Sequence, residues 1–397
     1  MLSGKRILLG VTGSIAAYKA VDVLRRLKES GADVRVVMTK NATRFVAPLT
    51  FEALSGRPVL CDEFLDWGKS SIGHIDVSAN LDLALIAPAT ANVIGKAAAG
   101  IADDALTSAL MALECPVMMA PAMNDRMYRN PALRRNIQLL KEQGVRFIEP
   151  EAGPLACGTT GQGRLADPLR IVQEVSSMLA SQDFTGVTIL VTAGPTREPI
   201  DTVRFISNPS SGKMGYAIAA AARDRGAQVV LISGPSDLPP PYGVKTVQVL
   251  SADDMYRAVM GHIGGTQIVI MAAAVSDFKT ATFTDRKIKK QEAPTILHLE
   301  PTRDILLELG KAASKRFLVG FAAETDNIRQ NALKKLQEKN LDMIVANDLM
   351  KAGAGFGADT NAVTIIDRNG TETELPVMPK SEIAAHILDK ILELKAN

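Results

Sequence analysis

A strand, a glycine turn, a helix closed by glycine and a second strand follow one another twice in this chain, and the repetition limits what it can fold into. The first copy is strand Arg6–Leu9, turn Gly10-Val-Thr-Gly13, helix Ile15–Ser30, Gly31 and strand Ala32–Thr39. The second is strand Val187–Thr192, Gly194, helix Tyr216–Arg225, Gly226 and strand Ala227–Ser233. Ile7 and Gly31 lie 24 positions apart and Ile189 and Gly226 37, and the surplus of 13 falls in Pro195–Gly212, a loop rich in Arg, Asn and Ser. Strand–helix alternation of this kind builds parallel sheets covered by helices on both faces. The expectation is α/β: two tandem, doubly wound, mainly parallel sheets. At 397 residues the chain also exceeds what one core usually serves. Domains are expected at 1–183 and 184–397, joined by the polar stretch Ser181–Gly186.

Composition removes several classes of function. The longest strong apolar run, Ile268–Val275, is eight residues, far short of the roughly 20 that span a bilayer. The N-terminus enters a strand by Arg6 without a signal-peptide pattern. Three cysteines, Cys61, Cys115 and Cys157, form no Cys-x-x-Cys pair, against a disulfide framework or zinc site and in keeping with a reducing cytoplasm. With 45 basic and 43 acidic residues there is no broad field for nucleic acid, and aromatics at 4% are too sparse for a base-stacking platform. Small molecules are the expected partners.

In sheets of this type ligands sit beyond the carboxyl ends of the strands, so the segments after each strand carry the argument. Further strands are expected at Leu81–Ala87, Pro116–Ala120 and Val145–Ile148, with helices near 101–112 and 131–143. The first helix should bury Ala17, Ala20, Val21, Leu24 and Leu27. After strand one, Gly10, Gly13, Ser14 and Ile15 offer small residues and a helix N-terminus to a phosphate, although glycine turns serve packing equally often. The spacing is not Gly-x-Gly-x-x-Gly, and strand two ends Met38-Thr39-Lys40 with no acid for a ribose hydroxyl, which disfavours NAD. Later loops carry Pro88-Ala89-Thr90-Ala91-Asn92 and Pro121-Ala-Met-Asn124-Asp-Arg-Met-Tyr128, and His74 precedes a strand. A lone histidine is more often structural, and an asparagine after a strand is commonly a turn former. Gly153–Arg164 places four glycines in twelve residues around Cys157. That is a poor core segment, read as a flexible flap carrying a functional thiol.

These stretches together resemble the flavin-dependent cysteine decarboxylase family. His74 matches its active-site histidine, Pro88–Asn92 its Pro-Ala-Ser-Ala-Asn flavin segment with Thr90 for serine, and Pro121–Tyr128 its substrate segment with Tyr128 for Trp as an aromatic wall. The Cys157 flap is similar to the phosphopantothenoylcysteine decarboxylase branch. The resemblance implies a flavodoxin-like domain in which Gly10, Gly13, Ser14 and Ile15 hold the FMN phosphate, and Thr39 and Pro88–Asn92 line the flavin. It makes Asn124 and Arg164 substrate residues, His74 a base and Cys157 the proton donor. The chemistry wants such a set: a cysteine carboxylate loses carbon dioxide only when the thiol has been oxidised to an electron sink, and flavin provides that oxidation.

The second half repeats the logic. Strands are expected at 187–192, 228–233, 245–250, 267–274, 317–322, 341–346 and 362–367, and helices at 251–262, 304–313, 325–339 and 380–395. Polar loops hold Arg204 and Asn208, Met271-Ala272-Ala273 through Asp277, and Lys287-Ile-Lys-Lys290. Thr302-Arg303-Asp304 should cap a helix, and Lys335 and Lys339 share a helical face. Each lysine group alone reads as a solvated face. Gathered on a nucleotide-type fold, with Asp277 available to a cation, they suit a triphosphate. Ser207–Gly215, Ala272–Asp277, Lys287–Lys290 and Gly320–Thr325 resemble the bacterial phosphopantothenate–cysteine ligase, so the two resemblances cover nearly the whole chain. They imply a bifunctional coenzyme A biosynthetic enzyme whose second, Rossmann-like domain uses CTP and Mg2+. Met271, Ala272, Ala273, Arg303, Asp304, Ile305, Leu306 and Phe321 would frame CTP, and Lys287, Lys335 and Lys339 its phosphates. Asp277 would bind the metal, and Asn208 would act on an acyl-cytidylate with Arg204 nearby. The resemblance further implies a homo-oligomer, a dodecamer. A nicotinamide oxidoreductase and a non-catalytic regulatory flavoprotein share the fold and stand as alternatives.

Overall fold

The computed structural model describes every residue except Met1, 63–72, 155–157, 159, 290–295, 313–315, 325–326, 349–350, 352–354, 356 and Asn397, and for Gly73, His74, Glu324, Ile328 and Asp348 the backbone alone. Met1–Ala180 and Ser181–Asn397 are two compact units.

The first unit runs β1 (Arg6–Val11), α1 (Ala17–Glu29), β2 (Asp33–Met38), α2 (Pro48–Ser55), β3 (Val59–Leu60), α3 (Gly73–Ser78), β4 (Leu83–Ala89) and α4 (Ala91–Ala99). It continues with α5 (Ala105–Met111), β5 (Val117–Pro121), α6 (Asp125–Tyr128), α7 (Pro131–Glu142), β6 (Arg146–Phe147), β7 (Glu151–Pro154), β8 (Thr160–Arg164) and α8 (Pro168–Leu179). Six strands pair in parallel in the order β3-β2-β1-β4-β5-β6. Strand β1 alternates: Ile7, Leu9 and Val11 pack with α1 and α8 in one apolar layer, while Leu8 packs with α4, α5 and α7 in the other. On α1 the fully buried stripe is Ala17, Ala20, Val23, Leu24 and Leu27, and Val21, expected inside, is only half-buried. Helix α5 starts at Ala105 rather than near 101 because Asp104 and Thr107 form a capping box there.

The second unit runs β9 (Thr188–Ala193), β10 (Arg197–Pro199), β11 (Phe205–Ser207), α9 (Lys213–Asp224), β12 (Gln228–Ser233), β13 (Lys245–Gln248), α10 (Ala252–His262), β14 (Ile268–Met271), β15 (Phe278–Thr280) and β16 (Leu299–Pro301). Then come α11 (Ile305–Lys311), β17 (Phe317–Glu324), α12 (Ile328–Glu338), β18 (Met343–Asp348), β19 (Thr360–Asp367), β20 (Glu372–Pro379) and α13 (Lys380–Ala396). The sheet order is β13-β12-β9-β14-β17-β18-β19-β20, parallel as far as β18 and antiparallel across β19 and β20. The edge strand β20, with Pro376 and Pro379, escaped the sequence reading because a proline-bearing polar edge has no apolar alternation. Ile189, Val191 and Ala193 face α9 and α13, and Leu190 faces the layer of α10, α11 and α12.

Both units end their first helix alike. Gly31 and Gly226 have φ of 87° and 88°, and the amides of Ala32 and Ala227 close the turn onto Leu27 O and Ala222 O at 3.0 and 3.1 Å. Left-handed backbone is free only to glycine, so these two positions set where the chain leaves the helix for the next strand.

Candidate active sites

In the first unit a cavity of about 910 Å3 lies where strand order reverses between β1 and β4, within the usual range of ligand sites, roughly 300–1,000 Å3. Gly13, Ser14 and Ile15 enter it from the turn after β1, Thr39 from the end of β2, and Thr90, Ala91 and Asn92 from the turn after β4. Asn124 follows β5, and Arg164 comes from β8. The buried Thr12 hydroxyl ties two of these turns together, donating to Pro88 O at 2.7 Å and accepting from Thr90 N–H at 3.1 Å. Gly13 lets the first turn lie against Asn41, since a Cβ there would stand 2.4 Å from Asn41 Cβ.

Three residues expected at this site support it from behind. Gly10 does not line the cavity; a Cβ on it would meet Ile86 Cδ1 and Leu106 Cδ1 at 2.6 and 2.7 Å, so its job is packing against α5. Pro88 and Ala89 are the last residues of β4, and their carbonyls accept from Thr12 and from Ala122 N–H. Tyr128 is a plain correction. It is not a wall of the cavity but a core residue, 2% exposed, donating to Glu149 Oε2 at 2.5 Å with Arg134 over its ring. The four-residue helix α6 turns Tyr128 inward and gives the cavity Met127 instead.

The cavity is cationic. Lys19, Lys40, Lys96 and Arg164 line it against one acid, Asp104. Lys96 is answered by Asp103 at 2.6 Å and Asp104 at 3.4 Å. Lys19 instead donates to Leu165 O at 3.4 Å, and burial, with the charge of Arg164 behind it, lowers its pKa. Burial and a like charge are relieved by an anion, and the α1 N-terminus beside them favours one too. Lys19 was missed from sequence. Its only local sign is a lysine in the first turn or two after a Gly-x-x-Gly-Ser turn.

Asn124 caps α6, its Oδ1 accepting from Arg126 N–H at 2.9 Å. That bond fixes which end of the amide is spent on the backbone. Gly153–Arg164, expected as a loose flap, has ordered arms: β7 and β8 pair antiparallel, and Met123 N–H donates to Gly163 O at 2.9 Å. Gly163, at φ 152°, sits so close to Met123 O that a Cβ would fall 2.2 Å from it. Cys157 lies outside the described residues. His74 is on α3, just before β4 as expected, with its side chain outside the description. Burial raises the pKa of both other thiols, Cys61 to about 11, which makes them poor nucleophiles or acids near neutrality.

In the second unit Asn208, the Met271–Asp277 loop and the start of α11 are linked past the ends of β9 and β14, while Lys335 and Lys339 lie at the far end of α12, from which Lys339 reaches Asp304. Strand β14 stops at Met271, earlier than the apolar run suggested, because Ala273 N–H is taken by Thr192 Oγ1 at 3.1 Å and Ala274 N–H by Gly194 O at 2.9 Å. Ala272 and Ala273 thereby become a loop. Asn208 reaches it, Nδ2 donating to Val275 O at 3.1 Å. Asp277 O accepts from Thr302 N–H at 2.9 Å, joining this loop to the start of α11. Asp304 caps α11, accepting from Leu307 N–H at 3.0 Å, and pairs with Lys339 at 2.9 Å. Burial would raise its pKa, but Lys339 and the helix amides outweigh that and lower it. Arg303 stacks over Tyr256 at 4.7 Å, Ile305 is buried and Leu306 half-buried. Phe321 stands one residue beyond Gly320, the register partner of Met271. Lys335 is on α12, half-buried.

Arg204 is joined to Ile288, the neighbour of Lys287, through a residue the sequence reading passed over. Arg204 Nε and Nη2 donate to the buried Asp201, and Nη2 also to Ile288 O at 2.9 Å. Lys287 and Asp277 are exposed. Among the described residues no group of three or more His, Cys, Asp or Glu side chains is placed to enclose a metal ion. No described helix is long and apolar enough to cross a membrane.

The fold is that of a two-unit α/β protein whose candidate site residues lie mainly on turns past strand ends, around a cavity in the first unit. Residues 1–180 match the family model described as flavoprotein, and 184–394 that of the DNA/pantothenate metabolism flavoprotein C-terminal domain. The coenzyme A biosynthesis bifunctional protein CoaBC of Bacillus subtilis (strain 168) is 51% identical over 398 residues, covering 99% of this chain and 98% of the relative. CoaBC of Escherichia coli (strain K12) is 44% identical over 397 residues, covering 98% and 97%. Among solved structures, the C-terminal domain of a CoaBC is 46% identical over 55% of this chain and all of its own, with a TM-score of 0.48. The chain belongs to the family of bifunctional coenzyme A biosynthesis proteins, a lyase and a ligase in one polypeptide.

Proposed function

We propose that the second unit joins cysteine to 4'-phosphopantothenate at the expense of CTP, through an acyl-cytidylate, and that the first decarboxylates the product to 4'-phosphopantetheine with FMN. The observation that supports this most directly is the cationic cavity at the strand-order reversal of the first unit, in a chain whose first 180 residues match the flavoprotein family. FMN, when bound, supplies the two-electron oxidation of the substrate thiol that makes decarboxylation possible. Gly13, Ser14 and Ile15 would receive its phosphate, Thr39 and Thr90–Asn92 its ring system, and Lys19 and Arg164 the remaining negative charge of cofactor or substrate. Asn124, which lines the cavity, would offer its side-chain N–H to the substrate carboxylate. His74 would take a proton near neutrality, and Cys157 would return one after carbon dioxide leaves.

In the second unit Met271–Ala273, Arg303–Leu306 and Phe321 would frame the nucleotide, with Lys287, Lys335 and Lys339 on its phosphates and Mg2+ at Asp277. Placement and neutralised charge are what transfer at phosphorus needs from a protein. Asn208, fixed against Val275, would orient the acyl-cytidylate for the cysteine amine, with Arg204 beside it. We further propose a cytoplasmic homo-oligomer, built up as a dodecamer.

The test supplies phosphopantothenate, CTP, Mg2+ and cysteine and looks for CMP, carbon dioxide and phosphopantetheine. Asn208→Ala should accumulate acyl-cytidylate, and Cys157→Ser should still release carbon dioxide while accumulating an oxidised intermediate, each losing about 10²-fold or more in final product. Normal product yield from either variant removes that residue from the mechanism. A colourless protein that turns over nothing refutes the reading as a whole.

A further inference from the structure

Asp201 carries more hydrogen bonds than its neighbourhood needs. It follows β10, and its side chain is 0% exposed although that of Arg204 is 44% exposed. Oδ1 accepts from Val203 N–H and Arg204 N–H, both at 2.8 Å, which is enough to close the local turn. Oδ2 does something else. It takes both arms of the Arg204 fork, Nε at 2.9 Å and Nη2 at 2.5 Å, and the amide of Ile288 at 3.1 Å, 87 residues further along the chain. Arg204 Nη2 closes the triangle on Ile288 O at 2.9 Å. Backbone contacts reinforce the join: Asp201 bridges Thr284, Thr284 N–H donates to Ile200 O at 3.4 Å, and Thr280 Oγ1 to Pro199 O at 2.9 Å.

Residues 281–289 would otherwise be an exposed loop, free to place Lys287 anywhere within its reach. A buried carboxylate must keep every partner it has, because an unmet charge away from water is costly. Held by five donors, Asp201 allows one position for Ile288 and therefore one narrow range for Lys287. The hydrogen bonds of Arg204 also hold its carboxyl well below the usual carboxylate range, so the tether stays charged throughout the working pH.

We propose that Asp201 is a positioning residue for the ligase reaction, locking the Arg204 loop and the Lys287 segment into one register so that both meet the nucleotide together. The role rests on the ligase reading of this site. The test uses the full chain and Asp201→Asn, which keeps shape but loses charge and half the acceptor capacity. KM for CTP should rise about ten-fold, and trypsin should cut native protein after Arg286, Lys287 or Lys289 about ten-fold faster than wild type. Ile288→Pro removes the distant donor and leaves the buried ion pair whole; because proline also restricts Lys287 and blocks cleavage after it, trypsin is read in this variant at Arg286 and Lys289. The variant should raise KM for CTP in the same direction, and it decides the matter where Asp201→Asn does not fold. A fall in kcat with KM unchanged, which loss of folded protein alone would give, overturns the proposal, as does cleavage at the wild-type rate. A wild-type chain that ligates nothing refutes the reading of the site, and the tether is then decided by the trypsin comparison.

Discussion

The two units share one strand order, with the first strand beside the fourth in each, yet they gather their candidate residues by different means. The first does it with close packing: a short turn pressed on Asn41, Thr12 wedged between two turns, and a hairpin seated on Met123. The second has 13 more residues after its first strand, and these form β10 and β11; Ser207 ties that insertion to its own Thr196, and Asp201 and Asn208 reach the neighbouring loops through polar bonds. A short turn can be fixed by what it touches. A long one needs its own hydrogen-bonded frame, because each further residue adds backbone entropy of about 1–2 kcal/mol to be offset.

The sharpest way to break this comparison is with glycine. On α9, a Cβ at Gly215 would stand 2.7 Å from Thr192 O and 2.6 Å from Ala193 Cβ, and backbone cannot step aside. At Gly10 the obstacles are the tips of Ile86 and Leu106, which can. Gly215→Val should cost about 3 kcal/mol and Gly10→Val about 1 kcal/mol in urea unfolding; equal losses would mean that both helices pack by the same rule. Next comes Thr12→Val, which leaves Pro88 O and Thr90 N–H unanswered in a buried place. It should cost about 2 kcal/mol and lower the flavin absorbance of purified protein, with Thr12→Ser restoring both; undiminished colour would show that the turns hold without the hydroxyl. The smallest effect is expected on the polar side, from Asp304→Ala, at about 1 kcal/mol for the lost cap. Because the folded-state pKa of Asp304 is lowered, its contribution is complete above the unfolded value of about 3.9 and fades as pH falls through the folded one. The wild-type–variant difference should therefore hold from pH 7 to about 5 and shrink below about 4. A difference that grows on acidification would reverse the sign of the Lys339 contact.

Most of the frame was legible because it is written in short range: β-branched runs, Gly31 and Gly226 after helices, and Asp304 at a cap. What failed to show was direction. Tyr128 and Met127 are adjacent on a single turn of helix, and no periodicity in four residues says which one faces the core. Gly10 looked like part of a phosphate turn, since sequence does not tell a glycine that admits a ligand from one that admits a leucine. Lys19 became a cavity residue only when Leu165, 146 positions later, folded back beside it. Asp201 was readable in part. An Asp three residues before an Arg is a local pair, but the contact with Ile288 belongs to tertiary structure.

The walls of the first cavity come from Gly13, Thr39, Thr90, Asn124 and Arg164, one from nearly every stretch of the first unit. No fragment of that unit can therefore own a pocket. Translation must pass β8 before the cavity proposed for the flavin is closed, and long-range closure of this kind is the slow part of folding. Colour in a preparation thus becomes a receipt for complete assembly, and a truncation that removes Arg164 should bleach it.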